Sequence, residues 1–243
     1  MVLCFFVEAS ANKVATMLPN AVVLLESASA GAESWTAIKA KASQIAPIGK
    51  TIVCGYSAGC VHVRNLWTAG MRPDALVLVD GMHTAKPPRG QQLSGWQEIV
   101  DAGRAGSTLV VASHIYNVYS DSLADPFLST VTVLRQVTGL ELPEPEDEHP
   151  RCVTEGRLSV VSCRSTDCDA QAHRDQQNVL FPRLVKEWLV PLYGPNQDEA
   201  PTLPPERPAW LNPELTLGQR CVLWSQAEMA ANVREVPPGT NGG

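Results

Sequence analysis

Short runs of unbroken apolar residues alternate with longer segments of helical periodicity through roughly the first 190 residues of the chain. The apolar runs are Val2–Val7, Ala21–Leu25, Thr51–Cys54, Ala75–Val79, Thr108–Ala112 and Leu158–Ser162. None alternates polar with apolar positions, so each predicts a strand buried on both faces, as in a parallel sheet covered by helices. The segments between them predict helices over Ala11–Leu18, Glu33–Ile45, Ala58–Thr68, Leu93–Ala102 and Phe127–Thr138, with a last one over Asp175–Leu189. Strand and helix in regular alternation predict the α/β class: a mostly parallel sheet with helices on both faces.

Two segments interrupt this rhythm. Glu141–Pro150 (ELPEPEDEHP) holds five carboxylates and three prolines, which predicts a solvated excursion between the last two strands. A long loop of this kind serves either as plain surface or as a cap over a site. Residues 194–215 are dense in proline, which stiffens the chain into an extended linker. The expected organisation is therefore an α/β domain over 1–193, a linker over 194–215 and a helical tail over 216–243. No internal repeat is present.

Composition narrows the function classes. With 44% hydrophobic and 18% charged residues the chain can bury a real core, which excludes a mainly disordered polypeptide. A net charge of −6 does not suit a general nucleic-acid binder. No apolar run approaches the roughly 18 residues of a membrane span. Met1 leads directly into an apolar strand without a basic segment or cleavage site, so a secretory signal is not expected. Seven cysteines at irregular spacing fit reduced, cytoplasmic synthesis, and Cys163 and Cys168 are expected as free thiols. No cysteine–histidine cluster has zinc spacing, and glycine-rich dinucleotide and phosphate-loop patterns are missing from the sequence. No metal and no cofactor are expected.

The chemistry concentrates at Gly55-Tyr56-Ser57-Ala58-Gly59. This G-x-S-x-G follows the predicted strand Thr51–Cys54 and opens the predicted helix Ala58–Thr68, the strand–tight turn–helix setting that lifts a serine hydroxyl clear of a sheet. A helix N-terminus beside Ser57 favours a developing oxyanion. Through GYSAG, the strand–helix order and a late histidine, residues 1–193 resemble the α/β-hydrolase superfamily, most closely its esterase, lipase and cutinase-like branches. The resemblance implies a minimal α/β-hydrolase fold, shortened at its start and without a His-Gly-Gly oxyanion motif.

A serine needs a base to become a nucleophile, and the superfamily order is serine, acid, histidine. His173 follows the last predicted strand and leads into the last helix, which is where that order places the base. His62 falls within the helix after the elbow, His149 in the acidic loop, and His83 and His114 after the fourth and fifth predicted strands, from where they could reach substrate. For the acid, Asp80 ends the strand ALVLVD, at the sheet edge where ligands bind. A lone carboxylate in that apolar setting needs a partner. Asp121 is the alternative acid, with Asp125 beside it after the next strand and Asp167 and Asp169 in the histidine loop. The oxyanion hole would combine the Ala58 N–H with one from Glu8–Asn12, near Ala9 and Ser10, or from Glu26–Gly31.

The tail resembles the opening of phage-type peptidoglycan hydrolase domains over Leu217–Gly243, through a helix ending in Val-Arg-Glu-Val-Pro and followed by a Gly/Asn run. That resemblance implies a phage setting, with release at lysis or attachment to the virion, and a truncated second domain. The expected activity is a serine esterase working through an acyl-serine on a small-molecule or cell-envelope ester. The competing expectation is a virion-associated binding module on a hydrolase scaffold.

Overall fold

In the computed structural model, residues 2–7, 17–18, 21–26, 33–87, 90–116, 127–145, 150–163 and 170–193 are described. Their strands are β1 (Val2–Val7), β2 (Ala21–Glu26), β3 (Lys50–Tyr56), β4 (Ala75–Val79), β5 (Thr84–Ala85), β6 (Leu109–Ile115), β7 (Phe127–Leu128), β8 (Arg151–Glu155) and β9 (Leu158–Cys163). The helices are α1 (Trp35–Ile45), α2 (Ala58–Thr68), α3 (Gly90–Arg104), α4 (Thr130–Thr138) and a terminal run α5 from Ala170 to Tyr193.

Seven strands form one sheet in the order β2-β1-β3-β4-β6-β9-β8. All its pairings are parallel except the edge pair β8–β9. The class is α/β, as the unbroken apolar runs implied: β4 and β6 are buried along their whole length. Helices cover both faces. Gly103 of α3 lies against the side chains of Leu158 and Val110, whereas Trp188 of α5 donates to Ser159 Oγ at 3.3 Å. Leu158 and Ser159 are successive strand residues and so point to opposite faces.

The strand order reverses once. From β1 the chain passes to β2 on one side, then returns past β1 to β3 and proceeds outward through β4, β6 and β9. The switch point lies between β1 and β3, and in open α/β sheets the crevice at the carboxyl ends of such a pair is where ligands bind.

Side-chain caps set several helix starts. Ser34 accepts from the Ala37 amide and starts α1 at Trp35. Ser129 accepts from Thr132 and starts α4 at Thr130, so Phe127 and Leu128 are not helical as expected but pair antiparallel with β5. The fifth strand of the main sheet runs on to Ile115 instead of stopping at Ala112, because its polar residue His114 finds a partner inside the sheet. The acidic segment leads into a strand that apolar patterning did not reveal: β8 is mostly exposed and pairs through its backbone with β9. Of the segment itself, Leu142 is buried, and residues 146–149 lie outside the described residues.

The last helix is longer than expected and is not uniform. It widens to π geometry over Gln176–Leu180 and Val185–Leu189, where Phe181 and Val190 donate to carbonyls five residues back. Each widened turn ends directly before Phe181-Pro182 or Val190-Pro191. Proline has no amide to donate and crowds the preceding turn, and a π-bulge is one way a helix absorbs it. The linker over 194–215 and the tail over 216–243 lie outside the described residues. Among the described residues no helix is long and apolar enough to cross a membrane.

Candidate active site

Ser57 stands at the end of β3 with φ 52° and ψ −125°, a left-handed conformation that L-residues other than glycine rarely adopt. The turn survives because its surroundings enforce it. The Ser57 amide donates to Val79 O at 3.1 Å, and its carbonyl accepts from Cys60 N at 3.0 Å. A Cβ on Gly55 would lie 2.9 Å from Cys60 N and Cα, so only glycine lets α2 fold back this tightly on β3. The Ser57 side chain makes no capping bond to α2 and is half-buried. Ala58, which opens α2, is exposed. Its amide is among the first-turn donors that a helix leaves without an internal partner.

Tyr56 and Val79 are paired in the β3–β4 register, so Ser57 and Asp80 leave the sheet side by side. Asp80 also has a positive φ, 41°, and is fully buried. Gly81 follows it. A Cβ there would fall 2.2 Å from Ser57 O and 2.5 Å from Cys60 Sγ, so the two strand ends touch only because this residue has none. The need for glycine after Asp80 could have been suspected from VDG in the sequence, but the contact that requires it is long-range.

His173 reaches this point from α5. Its Nδ1 lies 2.7 Å from Asp80 Oδ2, and its side chain is 21% exposed while that of Asp80 is 0%. A carboxylate at Nδ1 sets the tautomer, leaving Nε2 as the proton acceptor. The imidazole is stacked on Tyr56, ring centroids 4.7 Å apart at 28°, and the Tyr56 hydroxyl donates to His173 O at 3.0 Å. Burial, with the Asp80 charge adding to it, pushes the Tyr56 hydroxyl up to about 12, so it stays a donor. His173 sits within the first turns of the helix, not on the loop before it.

The structure thus joins Asp80 to His173 and puts Ser57 on the neighbouring strand end; it forms no hydrogen bond between Ser57 and His173. The other candidate acids, Asp121, Asp125, Asp167 and Asp169, lie outside the described residues. So do Ser10, Ala9 and the rest of Glu8–Asn12, as well as Ser27–Gly31. Strand β1 does end beside the elbow, with Val7 opposite Gly55.

The remaining histidines separate into two groups. His83 is half-buried close to the site. Its amide donates to Gly81 O, its carbonyl accepts from Trp96 Nε1 at 3.0 Å, and its ring packs against Phe127. Burial pushes it down to about 4; the nearby Asp80 charge opposes this and His173 adds to it. His114, expected near substrate, is instead an interior residue of β6. It is fully buried, with Nε2 2.9 Å from Ser162 Oγ and Nδ1 3.0 Å from Ile115 O, and burial likewise pushes it down to about 4. His62 is buried within α2, and His149 lies outside the described residues.

Compared with family models, with curated proteins and with solved structures, the chain matches none. Among the described residues no three His, Cys, Asp or Glu side chains are grouped to hold a metal ion. Cys54, Cys60, Cys152 and Cys163 are free thiols, and Cys168 lies outside the described residues.

Proposed function

We propose that the protein is a serine hydrolase of the esterase type, with Ser57 as nucleophile, His173 as base and Asp80 as the acid that orients it. One observation carries the reading: a serine on a strained strand–turn–helix elbow stands beside a buried Asp–His pair with Nδ1 2.7 Å from the carboxylate. The placement at the switch point of the sheet supports it. So does the order of the parts, which is the order that resemblance to the α/β-hydrolase superfamily implies.

In this mechanism His173 Nε2 takes the Ser57 proton as Oγ attacks the ester carbonyl. The imidazolium so formed is stabilised by the Asp80 carboxylate at Nδ1–H. The tetrahedral oxyanion takes the Ala58 N–H, with Ser10 or its neighbours after β1 as the second donor. Collapse expels the alcohol, which receives its proton from His173, and leaves an acyl-serine. Water, deprotonated by the same imidazole, then hydrolyses the acyl-serine and restores the site without metal or cofactor.

For substrate, the reading extends to a small-molecule or cell-envelope ester in a phage setting, with release at lysis or attachment to the virion. Its support is the likeness of the tail over Leu217–Gly243 to a phage-type peptidoglycan hydrolase opening. The test pairs turnover of short p-nitrophenyl esters with fluorophosphonate labelling. Labelling at Ser57 that is lost in Ser57→Ala, together with turnover, is expected. Neither turnover nor labelling would leave the alternative, a binding module on a hydrolase scaffold.

A further inference from the structure

Resting on the hydrolase reading, we propose that Tyr56 is a positioning residue that holds the His173 imidazole in register with the nucleophile next to it in the chain. Its side chain meets His173 twice across 117 residues of sequence, through the ring stack at 4.7 Å and through the hydroxyl bond to His173 O at 3.0 Å. The backbone dictates this direction. Gly55 faces α2, against Cys60; Tyr56, one residue on, faces the opposite side of the sheet, where α5 lies. Ser57 follows in the turn, so one tripeptide orients the helix contact, the base and the nucleophile.

The two contacts supply what Asp80 cannot. A hydrogen bond at Nδ1 restrains one ring atom, whereas coupled rotation about the Cα–Cβ and Cβ–Cγ bonds can preserve it and still carry Nε2 away from Ser57. A stacked ring fixes the plane, and a bond to the backbone carbonyl fixes the Cα from which the ring hangs. Misplacement of a catalytic group by about 1 Å lowers rate on the order of 10²-fold, so holding the ring plane is a catalytic requirement in its own right.

Tyr56→Phe keeps the stack and removes the hydroxyl; Tyr56→Leu removes the stack at similar bulk. Steady-state turnover of a p-nitrophenyl ester should show kcat reduced about tenfold in Tyr56→Phe, the scale of one lost hydrogen bond. In Tyr56→Leu it should fall about 10²-fold, with KM within about twofold of wild type in both, since neither change touches the ester. A low-field proton resonance from His173 Nδ1–H bonded to Asp80 should move in Tyr56→Phe and broaden or vanish in Tyr56→Leu. Wild-type kcat and an unchanged resonance in both variants would overturn the proposal, whatever Ser57→Ala does. If the wild-type protein neither turns over esters nor labels at Ser57, the hydrolase reading fails; the resonance then decides whether Tyr56 holds the imidazole. If Tyr56→Leu unfolds, Tyr56→Phe and the resonance decide it alone.

Discussion

Replacing Asp80 by asparagine is the sharpest probe of the site, because the fold should tolerate it and the chemistry should not. Asparagine is among the few side chains that accept a positive φ, so the 41° at this position is no obstacle. It nearly matches the carboxylate in shape, and losing a fully buried charge removes a desolvation cost. Stability should therefore change little. In the proposed mechanism, catalysis loses the charge beside His173 Nδ1, 2.7 Å from Oδ2. With charge centres about 4 Å apart and an effective dielectric of about 20, that charge stabilises an imidazolium by about 4 kcal/mol, or three decades in rate. An amide that turns its NH₂ toward Nδ1 also selects the wrong tautomer, which brings the expected loss to about 10⁴-fold. The assay is kcat on a p-nitrophenyl ester with protein that shows a wild-type melting curve. Ser57→Ala combined with Asp80→Asn should be hardly slower than Ser57→Ala alone, because members of one catalytic unit are non-additive. Should Asp80→Asn keep more than about a tenth of wild-type kcat while Asp121→Asn abolishes it, the acid is Asp121 and the electrostatic reasoning is wrong.

Three further outcomes follow from the packing and the titrating groups. Gly81→Ala should destabilise by about 3 kcal/mol or more, since its Cβ would fall 2.2 Å from a backbone oxygen; a denaturation midpoint near wild type would contradict this. His83 and His114, each near 4 when folded against 6.5 when free, bind protons later in the folded than in the unfolded state. Stability is thus full above about pH 6.5 and falls as pH drops toward 4, by up to about 3 kcal/mol per histidine. Urea unfolding at pH 7 and pH 4.5 should show the drop, and a flat profile would refute it. Thiol labelling of the native protein, read by peptide mass, should modify exposed Cys152 and spare Cys54, Cys60 and Cys163, which are buried. Burial raises the Cys60 thiol and pushes Cys163 up to about 12, so neither offers a thiolate. Fast labelling of Cys60 would mean that the elbow opens.

What the sequence determined on its own is the part of the molecule governed by local pattern. Unbroken apolar runs are a direct consequence of burial on both faces, and the six strands they predict are the six parallel strands of the sheet. The elbow was equally legible, because glycine, serine and glycine at that spacing between a strand and a helix satisfy a backbone requirement confined to five residues. Strand β8 was not, since an exposed edge strand needs only a partner's backbone and leaves no apolar signature. Asp80 was the preferred partner for His173 because it ends a buried strand, but Asp121 stayed open beside it; the contact spans 93 residues and exists because β4 ends next to β3 while α5 packs over the face that Tyr56 occupies. The same holds for Gly81, whose missing side chain matters only once Ser57 and Cys60 are packed against it, and for His114, whose strand carried no sign that Ser162 would satisfy it. Sequence periodicity records which residues face the core. Which of them meet across it is decided by strand order and register, and those are properties of the whole chain.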